Sequence, residues 1–135
     1  MERLIETSLW VDFTRQRSSA ELKIQIRPFI LARDACVCEP VIFEVLRAAL
    51  PQECAPLDAQ FAVIPILQTP VSLWRDASRL GQFCRNRGFT AGSLDLLIAA
   101  LAIHHAAEVV TFDADYSEIA KVEPALKVHL LTRAV

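Results

Sequence analysis

The sequence predicts one α/β domain over residues 1–135, built on a mostly parallel sheet that helices cover on both faces. Short apolar runs, typical of buried strands, alternate along the chain with longer segments in which apolar residues recur at helical spacing. A length of 135 residues suits one domain that buries its core without disulfides or a structural metal. No repeat, low-complexity segment or linker-like run divides the chain.

Prolines and glycines set several predicted boundaries. Pro40 suits the first turn of a helix that Pro51 then ends, and Gly88 suits the cap of the longest helix. Thr90 or Ser93 can cap the helix after it. In chain order, the predicted elements are a strand at 3–7, a helix through Trp10 and Phe13, a helix at 20–33, a strand at 35–38, a helix at 40–50, a helix at 56–63, an extended piece at 66–67, a helix at 71–87, a helix ending at His105, a strand at 108–112, a helical turn at 116–121 and a strand at 126–131.

Composition excludes several classes of function. The longest apolar run, residues 96–103, is too short for a bilayer, which needs about 20 residues, and the acidic start is unlike a signal peptide, so we expect a cytoplasmic protein. None of the three glycines builds a dinucleotide- or phosphate-binding loop. The four cysteines and three histidines lack zinc-site spacing, which predicts reduced, mostly buried thiols, with Cys36 and Cys38 on one face of a strand.

The charge distribution leaves nucleic-acid chemistry open. A net charge of −2 and a pI of 5.9 argue against non-specific coating of nucleic acid, yet an acidic site can coexist with a local basic rim. Four arginines would form such a rim or, alternatively, are merely a solvated helix face: Arg75, Arg79, Arg85 and Arg87.

Three acids lie within apolar sequence, where they would be buried with their neighbours. Glu6 ends the first predicted strand and Asp95 lies in the first turn of a predicted helix, whereas Glu44 projects from the predicted helix at 40–50 and is singled out by its apolar neighbours alone. An ionised carboxylate without a partner costs several kcal/mol to bury, and neighbouring carboxylates repel each other. A bound cation would remove both costs. Taken singly, a glutamate could instead pair with an arginine, and Asp95 could satisfy a helix N-terminus.

A fourth acid, Asp113, follows a predicted strand and therefore lies at a carboxyl end, where open α/β sheets place their sites. Parallel strands would bring it close to Glu6. An all-carboxylate cluster favours Mg²⁺ or Mn²⁺, which can polarise a phosphodiester and activate water. Thr7 and Ser8 would supply hydroxyls that orient a ligand or the water.

Four segments in this order, residues 4–13, 39–46, 94–102 and 110–116, resemble the acidic motifs of PIN-domain ribonucleases, specifically VapC-like toxins of toxin–antitoxin modules. The resemblance spans nearly the whole chain. It implies a PIN-like three-layer α/β/α fold, and it maps the acids of these motifs onto Glu6, Glu44, Asp95 and Asp113, with Asp115 as an accessory residue.

The resemblance also implies a metal-dependent endoribonuclease toxin, a homodimer, and inhibition by a cognate antitoxin whose tail occupies grooves beside the site. One departure concerns the first acid, which is normally aspartate and is Glu6 here. The longer side chain moves the carboxylate by roughly an ångström, and such a displacement can cost about a hundredfold in rate.

Two alternatives stay open. The first is a catalytically impaired domain of the same fold that binds RNA or an antitoxin without efficient cleavage, because Glu6 replaces aspartate. The second is a phosphoacceptor receiver domain, which needs an acidic pair after the first strand and a lysine after a late strand. This chain has a single acid, Glu6, followed by Thr7 and Ser8.

Overall fold

Five parallel strands form the central sheet of the chain, which a computed structural model describes over residues 1–135. The strands are β1 (Arg3–Ile5), β2 (Ala35–Cys38), β3 (Ile66–Leu67), β4 (Glu108–Thr111) and β5 (Lys127–Leu130). Their order across the sheet is β3-β2-β1-β4-β5, and every neighbouring pair is parallel. This order confirms the predicted parallel α/β class and differs from the 2-1-3-4-5 order of receiver domains.

Seven helices connect and flank the strands. They are α1 (Thr7–Thr14), α2 (Ala20–Ile30), α3 (Glu39–Ala48), α4 (Pro51–Phe61), α5 (Leu73–Asn86), α6 (Ser93–His105) and α7 (Asp115–Val122). None of them combines the length and the hydrophobicity that a membrane span would require.

The core lies between the sheet and its helices. All four residues of β2 are buried, as are Leu4 of β1 and Val109 of β4, which are register partners. Strands buried on both faces read as continuous apolar runs, which is why their bounds were predicted closely. The cysteines are free, three of the four are buried, and burial raises the pKa of Cys36 and of Cys38 to about 12, as expected for inert thiols.

Several helix starts differ from the prediction, by at most five residues, and the predicted cap of α6 is wrong. Pro51 does not merely end α3 but begins α4, five residues before the predicted start at Pro56. Proline suits a first turn, and the Glu53 carboxylate accepts a hydrogen bond from the Leu50 amide at 2.8 Å, which caps the helix. The cap of α6 is Gly92, not Thr90 or Ser93. At the end of α5, Gly88 has φ 85°, a conformation that favours glycine, as predicted.

The last residues of the chain form an arm, residues 131–134, that crosses from the sheet to α1 and α2. The Leu131 amide donates to the Thr111 carbonyl at 2.8 Å. Arg133 pairs with Asp12 of α1, and its guanidinium lies 4.8 Å from the ring centre of Phe112. In addition, the side chain of Gln25 in α2 bonds the backbone of the arm at both Thr132 and Ala134. The arm therefore ties both helices to the end of β4.

Candidate metal centre

The first acid of the site is placed by the end of β1. Ile5 is the register partner of Val110 in β4, and the Glu6 amide donates to the Val110 carbonyl at 3.1 Å. Glu6 is thus the first residue beyond β1 and the N-cap of α1. Asp113 follows β4 by two residues. Because β1 and β4 are adjacent and parallel, both acids lie at the same carboxyl edge of the sheet, as predicted.

Glu6 is almost completely buried, with 4% of its surface exposed. Its Oε1 accepts three hydrogen bonds, from the Ser8 amide at 3.1 Å, the Ser8 hydroxyl at 2.7 Å and the Thr111 hydroxyl at 2.6 Å. No buried side-chain oxygen in the chain lacks a partner. Since Oε2 of Glu6 accepts no hydrogen bond, this oxygen must retain contact with solvent and is free to bind a ligand.

Burial raises the pKa of Glu6 above its ordinary value, and the nearby charge of Glu44 raises it further. The hydrogen bonds from Thr111 and Ser8 act in the opposite direction because they stabilise the ionised form. The net effect makes ionisation of Glu6 less favourable than it would be in water.

The second acid, Glu44, projects from α3 and is half-buried. Its Oε1 accepts a short hydrogen bond from the hydroxyl of Thr7, the first residue of α1. The hydroxyls of Thr7 and Ser8, which the sequence assigned to a ligand or a water molecule, both donate to protein carboxylates in this structure. Their structural effect is to orient Glu44 and Glu6.

The third acid, Asp95, lies in the first turn of α6. Its Oδ1 accepts a hydrogen bond of 3.1 Å from the hydroxyl of Tyr116, a residue of α7 that has no exposed surface. Partial burial raises the pKa of Asp95 to about 6, and the charges of Asp113, Glu6 and Glu44 add to the rise, against the lowering effect of the Tyr116 hydrogen bond. The four predicted acids are therefore close enough to act on one another.

Asp95, Asp113 and Asp115 form the tightest group, with carboxylate oxygens within 4.8 Å of one another. The Asp113 amide donates to the Thr111 hydroxyl and Asp113 Oδ1 accepts from the Asp115 amide, both at 2.9 Å. Two oxygens on opposite sides of Mg²⁺ are about 4 Å apart, so small side-chain rotations would let this group share one cation. The oxygen-only donor set and the raised carboxyl pKa values fit a hard divalent cation.

Two residues of the site were not singled out from the sequence. Thr111 bridges Glu6 and Asp113, and Tyr116 bonds Asp95. A hydroxyl inside an apolar strand was the signal for Thr111. Tyr116 gave no comparable signal, because its partner lies 21 residues earlier in the chain.

A separate cavity of about 690 Å³ lies toward the far end of α1. The first residue of its lining is Trp10, which lies one helical turn after Glu6. Phe13 and Leu57 supply apolar surface to the cavity, and Arg15 and Arg17 supply positive charge. We call this cavity the α1–α4 groove. The four arginines of the predicted basic rim are exposed and form no ion pair within the chain.

Comparison with known protein families and proteins finds matches over most of the chain. The family model described as PIN domain matches residues 3–122. The chain is 34% identical over 124 residues to the protein named VapC ribonuclease Mb1587 of Mycobacterium bovis, which covers 88% of this chain and 92% of that protein. Ribonuclease VapC11 of Mycobacterium tuberculosis matches with the same identity and coverage.

Solved structures are similar in fold. The structure of VapBC2 from Rickettsia felis, bound to a DNA fragment from its promoter, has a TM-score of 0.76 at 18% identity and covers 97% of this chain and 99% of that chain. DNA-bound VapBC from Salmonella typhimurium has a TM-score of 0.74 at 16% identity, with 96% and 97% covered. These similarities confirm the three-layer α/β/α fold that the sequence resemblance implied.

Proposed function

This chain belongs to the PIN-domain family, and we propose that it is a metal-dependent endoribonuclease toxin that hydrolyses phosphodiester bonds in RNA and is neutralised by a cognate antitoxin. The observation that carries the proposal is the group of three aspartate carboxylates within 4.8 Å of one another, beside two further acids that raise the pKa of Asp95. Similarity over most of the chain to proteins named VapC ribonucleases supports the same activity.

Mg²⁺ or Mn²⁺ would be held by Asp95 and Asp113, with Glu6 offering its free Oε2, Glu44 completing the set and Asp115 as an accessory. When bound, such an ion polarises a phosphoryl oxygen and lowers the pKa of an attacking water. The residues of the chain do the rest. Thr7, Ser8 and Thr111 fix the glutamates, and a carboxylate oxygen that the ion leaves free can accept a proton from the attacking water.

The antitoxin is assigned to the α1–α4 groove. A solved structure of similar fold, VapBC-5 from Mycobacterium tuberculosis, is a member of the VapBC family of toxin–antitoxin systems, which makes an antitoxin segment the occupant to expect. The apolar surface of Phe13 and Leu57, flanked by Arg15 and Arg17, fits an amphipathic segment that carries acidic residues. Because the groove begins one helical turn from Glu6, a segment bound there can extend to the carboxylates and block them.

A homodimer accounts for the apolar side chains that the fold leaves exposed. Phe43 lies on α3, Val71 precedes α5, and Trp74 and Phe83 lie on α5, each with more than half of its surface exposed. Exposed apolar surface of this extent is typical of protein interfaces. Phe43 adjoins Glu44, so a dimer formed through α3 would lie next to the carboxylate site.

The alternative function is a catalytically impaired PIN-like domain that binds RNA or antitoxin without efficient cleavage. Its specific support is Glu6, whose carboxylate stands one methylene further from the backbone than aspartate would. The hydrogen bonds from Ser8 and Thr111 weigh against it, because they hold the longer side chain in one defined position.

The decisive experiment is cleavage of a pool of cellular RNA by purified, antitoxin-free protein, with Mg²⁺ or Mn²⁺ and with chelator. Asp95→Asn should abolish the products, and Asp58→Asn, the same change at an exposed carboxylate of α4, should leave them unchanged. Discrete products that need the metal and Asp95 would support the nuclease. RNA binding without products from the wild type would favour the impaired domain instead.

A further inference from the structure

The hydroxyl of Tyr116 is the one buried phenol of the chain and it is aimed at the site. Tyr116 is the second residue of α7 and has no exposed surface, while its ring lies in the apolar core. A buried tyrosine hydroxyl needs a partner, and here the partner is Oδ1 of Asp95 at 3.1 Å. A phenylalanine would fill the same apolar space, so packing alone does not account for the hydroxyl.

Asp95 depends on this hydrogen bond more than Glu6 depends on any one of its own. The Tyr116 hydroxyl is the single donor to the Asp95 side chain, whereas Glu6 has three donors. Gly92 places no side chain against Asp95, although a Cβ at that position would make van der Waals contact with Oδ2 at 3.5 Å. Without the phenol, the carboxylate would be free to rotate within the first turn of α6.

Resting on the proposed metal-dependent function, we propose that Tyr116 is a positioning residue, whose buried hydroxyl fixes the Asp95 carboxylate in the orientation that binds the divalent cation. The bond links α6, which carries Asp95, to α7, which begins with Asp115, and so sets the spacing between these two carboxylates. Residues that orient metal ligands in this way typically contribute ten- to a hundredfold to metal affinity or activity.

The test is Mn²⁺ affinity, measured by titration calorimetry on the full chain without RNA. Tyr116→Phe should weaken Mn²⁺ binding roughly tenfold or more. It should lower kcat while leaving KM for RNA unchanged, because the buried ring cannot touch the substrate. The matched control is Cys36→Ala, which removes another buried hydrogen-bond donor, on β2, and should alter thermal stability without altering Mn²⁺ affinity.

A double-mutant cycle shows whether Tyr116 acts through Asp95. In the Asp95→Asn background, Tyr116→Phe should cause no further loss of Mn²⁺ affinity. Equal affinity of Tyr116→Phe and wild type, within twofold, would overturn the positioning role and leave the proposed nuclease intact. Failure of the wild-type chain to bind Mn²⁺ at all would overturn both.

Discussion

The two halves of the carboxylate site are held in different ways. In the glutamate half, Glu6 accepts three hydrogen bonds and Glu44 accepts one from a threonine hydroxyl. In the aspartate half, Asp95, Asp113 and Asp115 lie within 4.8 Å of one another, and a tyrosine is their only side-chain donor. The chain itself thus supplies most of the hydrogen-bond donors to the glutamate half, whereas the proposed cation would have to offset the negative charge of the aspartate half.

The largest effect should follow a change in the aspartate half. Asp113→Asn removes a charge from the tight group while keeping the shape of the side chain, so we expect RNA cleavage to fall by roughly a thousandfold or more with the fold intact. Steady-state cleavage rates and circular dichroism check both statements. Wild-type rates in this variant would remove the aspartate half from the mechanism.

Shortening Glu6 tests the glutamate half directly. Glu6→Asp withdraws the carboxylate from the Thr111 hydroxyl that now bonds it, and we expect cleavage to fall roughly ten- to a hundredfold. Glu6→Gln, which keeps the length and removes the charge, is the companion variant and should be slower still. A faster Glu6→Asp protein would instead identify the native chain as the impaired form.

Removing the Thr111 hydroxyl, which joins the glutamate half of the site to the aspartate half, should slow cleavage less. Thr111→Val leaves Glu6 without one donor and the Asp113 amide without its acceptor. We expect a loss of about 1–3 kcal/mol in the free energy of unfolding and a roughly tenfold slower reaction. Thr111→Ser retains the hydroxyl and should restore most of both. Chemical denaturation that shows no change in Thr111→Val would contradict the bridging role.

The smallest expected effect is the change with pH in the stability of the metal-free chain. The folded-state pKa of Asp95, about 6, lies above its ordinary value of 3.8, so the folded state holds the proton more tightly. The stability that this contributes is complete below about pH 4 and is lost as pH rises through 6. Asp113, Glu6 and Glu44 face Asp95 with the same sign of charge, and the raised pKa of Glu6 acts in the same direction.

We therefore expect the Tm of chelator-treated protein to fall by about 3 °C between pH 4.5 and 7, part of the effect being screened by solvent. Mg²⁺ should reverse the fall at pH 7, which lies above the Asp95 pKa of about 6. The Asp95→Asn chain should show a flatter profile. A Tm that rises across this range in chelator would contradict the raised pKa.

The sequence predicted much of the fold because the strongest signals are local. Strands buried on both faces are continuous apolar runs, and their bounds were predicted within one or two residues. The errors occurred where one residue type has two roles. Pro51 can follow one helix or begin the next. In the structure it begins α4, because the Glu53 carboxylate accepts a hydrogen bond from the Leu50 amide and caps that helix.

The candidate site was singled out where a charged side chain conflicted with its apolar sequence neighbours. An acid within an apolar run is conspicuous, and that signal singled out Glu6, Glu44 and Asp95, which the structure brings into electrostatic contact. The roles of Thr111 and Tyr116 were not predictable, because each depends on a hydrogen bond to a residue distant in sequence. Thr111 lies 105 positions from Glu6, and Tyr116 lies 21 positions from Asp95. The assignment of the acids as metal ligands, and of Tyr116 as a positioning residue, stays a prediction until the variants are measured.

The arm at residues 131–134 has a practical consequence for anyone who produces this protein. It ties α1 and α2 to Phe112, the neighbour of Asp113, so a bulky fusion or a protease nick there would disturb the site from outside. Met1 is 77% exposed and precedes β1, at the edge of the sheet opposite the carboxylates. Affinity tags and fluorophores belong at that end.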